Sequence, residues 1–148
     1  MKKKTLYLIL FLGFISVSAL ADTVFYRYHD DKKLFYTKDN HIYRYHDDKK
    51  LFYLKNNHIY RYHDDKKIFY LRDNHFYRYH DDKKLFYARD GYLYRYHDDK
   101  RLYQFKDSKI YRYSNDRQIF YTRGWEHPGL IIMMLLLADS EDLGYLSN

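Results

Sequence analysis

Two kinds of residue grouping in this 148-residue chain could carry chemistry. The first is imidazole beside paired carboxylates, repeated as His46-Asp47-Asp48, His63-Asp64-Asp65 and His80-Asp81-Asp82. Histidine and carboxylate together suit divalent metals. Each triplet is followed by two cations, as in Lys49-Lys50, which oppose a bound metal ion, and aspartate is also an ordinary turn former. The spacing matches no defined metal motif. No metal is assigned, and His46, Asp47, His63, Asp64, His80 and Asp81 are the candidate ligands if one binds. His41, His58 and His75 read as surface residues.

The second grouping is aromatic. Most of the 21 tyrosines recur at fixed spacing, and rows of phenol rings can stack on sugars, quaternary amines or other aromatic surfaces. Candidate ligand-binding residues are Tyr36, Tyr43, Tyr53, Tyr60, Tyr70, Tyr77, Tyr87 and Tyr94. The competing role for these rings is to pack on one another in place of a core. There is no Ser/His/Asp order and no glycine-rich phosphate loop. Active sites are singular, whereas every grouping here occurs several times. Neither an enzyme, a catalytic residue nor a cofactor is expected.

The elements that position these residues follow from a strict repeat. Tyr-Arg-Tyr begins at Tyr26, Tyr43, Tyr60, Tyr77, Tyr94 and Tyr111, always seventeen residues apart. The octet YRYHDDKK is identical at the first four, nearly so at the fifth, and decays to YRYSNDRQ at the sixth. Such periodicity marks units that rest on their neighbours. Each unit holds two runs of aromatic and branched residues, such as Ile42 to Tyr45 and Leu51 to Leu54, which favour strands. Asp39-Asn40, Asn56-Asn57, Asp73-Asn74 and Asp90-Gly91 tolerate the positive φ of a two-residue type I′ turn. The fold class is therefore all-β: about six copies of an antiparallel hairpin in a curved or coiled sheet or solenoid, with a leader before it and a short cap after it.

Side chains alternate faces along a strand, so an odd-length unit needs an odd residue at its wider corner to keep equivalent residues on one side. A loop of three or five residues satisfies that and pairs Tyr26 with Tyr36 and Tyr28 with Leu34. The result is an almost continuous tyrosine row from Tyr26 to Tyr121, with Tyr28, Leu34 and their copies beside it. On the other face run Arg27 and Phe35 with their copies, and an apolar row from Phe25 to Thr122.

The string Tyr43-Arg44-Tyr45-His46-Asp47-Asp48-Lys49-Lys50-Leu51 resembles the Tyr-Asp repeats of large secreted bacterial proteins, of pattern Tyr-x-Tyr-Asp-x-x-Gly-Arg-Leu. The likeness covers Phe25 to Thr122. It departs in the His before the acid, the missing turn Gly and the shorter unit. Those repeats build β-sheet shells and display surfaces outside the cell, so the resemblance implies hairpin architecture and export. This chain is too small to enclose a further domain. Choline-binding-type hairpin repeats are a weaker analogy, because their Gly-Trp signature is missing.

The ends differ from the body. Residues 1–21 combine Lys2-Lys3-Lys4, an apolar run from Leu6 to Leu20 and an Ala19-Leu20-Ala21 end, the pattern of a secretory signal peptide cleaved after Ala21. Residues 22–124 are the tyrosine-rich repeat domain. Residues 125–148 form a capping segment and tail, with a short helix starting near Pro128 over the last repeat and no transmembrane span after leader removal. Losing the leader lowers the net charge from +7 to +4. Acids and bases alternate through the repeats, which argues against nucleic acid. Cysteine is absent, so packing and pairing alone hold the fold.

The expected function is an exported, periplasmic or cell-surface binding module whose partner is a glycan, an envelope component or a protein surface. The alternatives are self-association of sheet edges into fibres, and metal capture by the His-Asp-Asp loops. Mass spectrometry of protein recovered outside the cytoplasm should find an N-terminus at Asp22; retention of Met1 through Ala21 would contradict the leader.

Overall fold

The tight turns form as their residue types require. Both central residues of each have positive φ, at 49° and 62° for Asp39 and Asn40 and at 52° and 79° for Asp90 and Gly91. Across such a turn Lys38 pairs with His41, Tyr36 with Tyr43 and Thr37 with Ile42, the expected register. A computed structural model describes residues 22–124 and 127–139. The expected leader, Trp125, Glu126 and most of the acidic tail lie outside these residues.

Twelve antiparallel strands alternate short and long. They are β1 Val24–Arg27, β2 Lys32–Lys38, β3 His41–Arg44, β4 Lys49–Lys55, β5 His58–Arg61, β6 Lys66–Arg72, β7 His75–Arg78, β8 Lys83–Arg89, β9 Tyr92–Arg95, β10 Lys100–Lys106, β11 Lys109–Arg112 and β12 Arg117–Arg123. One helix, α1, follows at Pro128–Ala138. Consecutive strands pair, and β12 returns to β1, so the sheet is a closed barrel and not the expected curved or coiled solenoid.

The closing seam has the same register as a tight hairpin. Phe25 pairs with Thr122 and Tyr26 with Tyr121, as Ile42 pairs with Thr37 and Tyr43 with Tyr36. Five type I′ turns and one turnless seam thus make six equivalent interfaces. Closure removes both strand edges, which would otherwise be templates for further pairing. After β12 the chain turns at Gly124, whose φ is 99° and where a Cβ would come within 2.9 Å of Thr23 Oγ1.

The wider corners differ from expectation. Arg27 pairs with Lys32, Tyr26 with Lys33, and Phe25 with Phe35. The loop therefore holds four residues, Tyr28 to Asp31, and the odd residue is a bulge at Leu34. Asp31 and its copies take the left-handed conformation that such a corner needs, with φ near 54°. Parity survives, because four plus one bulge residue is still odd, but Tyr26 no longer pairs with Tyr36. The continuous tyrosine row breaks into separate pairs. Leu85 is buried, and Leu34, Ile68, Leu102 and Ile119 pack against the core instead of forming a row beside the tyrosines.

One wall of the barrel faces inward with Phe25, Ile42, Ile59, Phe76, Leu93 and Ile110, each nearly or fully buried. Eight strands are about the number whose side chains fill a barrel, and twelve leave a wider lumen. The helix α1 occupies it. Its sequence is apolar on every side, and Leu130, Ile132, Met133, Met134, Leu135 and Leu136 are buried in the same cluster as the wall. A helix apolar all round must be enclosed all round. The expected cap over the last repeat is thus corrected to a central plug.

Each end of α1 is fixed. His127 caps the start, its Nδ1 accepting from the Gly129 amide at 3.1 Å. A Cβ on Gly129 would come within 2.7 Å of Leu71, so the helix enters close against β6. At the far end the buried Asp139 carboxylate accepts from the Tyr103 hydroxyl, and from Arg112 at 2.9 Å. Tyr103 stands where the other five copies carry Phe, and Asn115 where they carry Asp. In those five copies the Asp takes its own loop's arginine, as Asp47 takes Arg44. Asn115 carries no charge to compete, so Arg112 serves Asp139. Two departures from the repeat, Tyr103 in the fifth unit and Asn115 in the sixth, therefore build one anchor.

Asp139→Ala should lower unfolding free energy by about 2–3 kcal/mol, a buried-pair loss reduced for the partly exposed guanidinium. Tyr103→Phe restores the residue of the other copies, keeps the ring, and should cost about 1 kcal/mol. Urea unfolding midpoints measure both. Unchanged midpoints would show that the anchor holds nothing.

Candidate functional site

The outer wall carries the tyrosines. Across four of the five tight hairpins two phenol rings stack nearly parallel, with centroids 4.8 Å apart for Tyr36–Tyr43, 4.7 Å for Tyr53–Tyr60, 4.6 Å for Tyr70–Tyr77 and 4.7 Å for Tyr87–Tyr94. The seam supplies a fifth stack, Tyr26–Tyr121, at 4.6 Å. At the remaining hairpin Gln104 replaces a tyrosine, and its amide donates to Tyr92 Oη at 3.2 Å.

These eight candidate tyrosines all lie on one side, yet they are not the open ones. Tyr77 and Tyr94 are 5% and 4% exposed, and the other six are half-buried. The rings that stand open are Tyr28, Tyr45, Tyr62, Tyr79, Tyr96 and Tyr113, from 38 to 50% exposed. They form one facet per unit. Sequence reasoning put them in a neighbouring row without separating their exposure. The separating cause is the bulge, which displaces the next strand and leaves the third residue of each Tyr-Arg-Tyr at the loop's edge.

Each facet has a recurring build. Lys50 Nζ lies over the Tyr62 ring at 5.1 Å, His41 meets that ring edge-on at 5.8 Å, and Tyr53 does so at 6.5 Å. Lys67 over Tyr79 and Lys84 over Tyr96 repeat the arrangement at 5.1 and 5.0 Å. Lys33 Nζ lies over Tyr45 at 4.9 Å and donates to its hydroxyl at 3.0 Å. Arg101 takes the lysine's place over Tyr113 at 5.4 Å, whereas at Tyr28 the corresponding position is Gln118. The sequence signal for these facets was the constant Lys-to-Tyr spacing of twelve residues.

The His-Asp-Asp loops use their carboxylates internally. Asp47 pairs with Arg44 and accepts from the Lys49 amide at 3.2 Å, which closes the turn. Asp48 accepts from the Tyr36 hydroxyl at 3.0 Å, tying each loop to the stack of the preceding unit. The same bond, from Tyr121 to Asp31 at 2.9 Å, crosses the seam. His46 is mostly exposed, and its Nε2 lies 3.7 Å from Asp47. Asp64 and Asp81 are held by Arg61 and Arg78 in the same way, with His63 and His80 beside them. Among the described residues no group of three or more metal-ligating side chains is arranged to hold an ion.

Charge is thereby sorted. The six arginines of the inner row line the wide-corner mouth, five answered by Asp30, Asp47, Asp64, Asp81 and Asp98 and the sixth by Asp139. These guanidinium bonds hold Asp30, Asp47, Asp81 and Asp98 well below the usual carboxylate range and Asp64 down to about 2. At the opposite mouth a cavity of about 150 Å³ lies beside Ala88, lined by Leu71, Phe76, Leu93, His127 and Ile132.

The wall does not have the make-up of a membrane-facing one. Its strands have four or seven residues, against the nine to eleven of a spanning strand, and Lys33, Lys38, His41, Lys50 and Lys55 belong to the polar side. Among the described residues no helix is long and apolar enough to cross a membrane. Among the described residues the closed sheet has no free strand edge. No family model, curated protein or solved structure matches the chain.

Burial, then the Asp48 carboxylate, pushes the Tyr36 phenol up to about 12. Tyr53, Tyr70, Tyr87 and Tyr121 are raised by the same two causes. These phenols keep their protons more tightly folded than unfolded. Their contribution to stability is intact below pH 10 and is lost as pH rises from 10 towards 12. Alkaline titration of phenolate absorbance alongside circular dichroism should show a late class of tyrosines that ionises as the barrel unfolds. Asp48→Ala should bring Tyr36 only part of the way back, because its burial remains. Ionisation of every tyrosine at the ordinary value with the barrel intact would contradict this.

Proposed function

We propose that this protein is an exported, non-enzymatic binding module that holds a glycan of the cell envelope on its ring of open tyrosines. One observation carries the reading: the open phenols are spent neither on the core nor on the stacks, and the same facet is presented once per repeat around the wall. An open ring flanked by polar groups suits a sugar, which offers apolar C–H faces between hydroxyls. Six weak facets on one rigid body favour a polymeric partner, since each contact after the first forms at high effective concentration. The stacked tyrosines Tyr36, Tyr43 and their copies support the facets from beneath. Export follows from the leader-like N-terminus, and surface display agrees with the resemblance to Tyr-Asp repeats.

Tyr62→Ser with Tyr79→Ser removes two neighbouring facets without touching the core, and stability should change little. The fraction of protein co-sedimenting with purified peptidoglycan sacculi or an insoluble neutral glucan should fall about tenfold. If the unaltered protein sediments with neither, or the double variant sediments equally well, the open tyrosines are not a glycan surface.

A further inference from the structure

The inner and outer cations of this barrel have different fates. Every arginine of the inner row has a carboxylate. On the outer wall Lys33, Lys50, Lys67, Lys84 and Arg101 lie over open tyrosine rings, and among the described residues none of them is in an ion pair with an acid. The loop acids have other partners: Asp31, Asp48, Asp65, Asp82 and Asp99 accept from the stacked tyrosines, and Asp47 and its aspartate copies belong to the inner arginines. Positive charge is therefore held at fixed points on the wall, five times around the ring.

Each point also gathers donors. At the Tyr45 facet the ammonium and the phenol oxygen are 3.0 Å apart. An ammonium offers three N–H donors and a phenol one O–H, and among the described residues no ion pair with an acid takes up this ammonium, although the Asp48 carboxylate lines the same recess as Tyr45. The chemistry that satisfies such a pair is an oxyanion. The ring beneath adds a flat apolar surface at the same place. A ligand unit that answers both must carry a carboxylate close to an apolar face, and a uronate sugar does so within one ring. A phosphodiester chain meets the charge but not the face, and at five of the open rings one face is already covered by the cation, which leaves little room for a stacked base.

We propose that the facets recognise an acidic polysaccharide, with each carboxylate seated between the Lys or Arg cation and the open phenol of one repeat. This rests on the glycan reading above and specifies its partner. It also assigns unequal roles to the units. The five charged facets, Tyr45 to Tyr113, hold the polymer, and the Tyr28 facet, where Gln118 replaces the cation, does not seat an acid.

The test uses the mature protein with polygalacturonate and with the same polymer methyl-esterified, so that only the carboxylate charge differs. Calorimetry should give about tenfold tighter binding of the acid form at low salt, weakening as salt rises. Lys50→Met with Lys67→Met keeps the apolar stems over the rings. It should reduce binding of the acid form about tenfold and leave the ester unchanged. Equal binding of acid and ester would overturn the acidic specificity while leaving the glycan reading in place. Binding of neither would overturn the acidic-polysaccharide proposal, and binding of neither together with no co-sedimentation with sacculi or glucan would overturn both. Polyphosphate or duplex DNA binding as tightly as the uronate would show a general anion surface and overturn the sugar assignment. Loss of ester binding in the lysine variant would mean that the rings, not the charges, had been disturbed.

Discussion

Twelve short strands with one apolar face enclose a lumen too wide for their own side chains to fill, and everything else in this fold answers that mismatch. An empty lumen would forfeit dispersion contacts along its whole lining. A polar filling would leave Phe25, Ile42 and Phe76 facing water. The eleven apolar residues of α1 match the void in both respects, because a helix with side chains is about 10–12 Å across. The wall and the plug therefore depend on each other. Neither buries its apolar surface alone, and there is no disulfide to hold either in the other's absence.

Near-perfect repetition creates a second difficulty, which the molecule meets at its two ends. Six equal units offer a central helix six equivalent settings. Asymmetry is introduced where the last two units depart from the others: Tyr103 adds a hydroxyl to the phenylalanine row, and Asn115 removes the acid that would occupy Arg112. Both changes converge on Asp139. A single carboxylate at the helix end thus distinguishes one setting from five others. The same logic explains the ring of guanidinium groups at that mouth. Each needs an acid to be tolerated beside an apolar lumen, and each has one.

With the inner charges answered locally, the outer wall expresses the remaining cations. The stacked tyrosine pairs link neighbouring strands, the Tyr–Asp bonds link each unit to the next, and the open rings stand above this framework. A rigid convex ring of weak, equal contacts suits a long flexible partner better than a compact one. That reading joins the barrel to its exterior without asking any residue to do covalent chemistry.

Local physics made much of this legible from residue types. The type I′ turns were readable because Asn, Asp and Gly tolerate positive φ, and the hairpin register followed from them. Parity also held, since alternation along a strand is a property of the backbone. Where the odd residue resides was not readable: a five-residue loop, and a four-residue loop with a bulge, obey the same parity. Only packing chose the bulge, and with it which tyrosines stay open. Closure depends on how small shifts accumulate around twelve strands until Tyr26 meets Tyr121, which no local window contains. The apolar run from Leu130 to Ala138 marked a segment that must be buried, but burial is non-directional, so its composition suits a cap as well as a plug. The sequence by itself determined the hairpins, their faces and the need to bury the tail. The tertiary structure decided that the sheet closes and that the tail goes inside, because both depend on the diameter of a ring that exists only once every strand is in place.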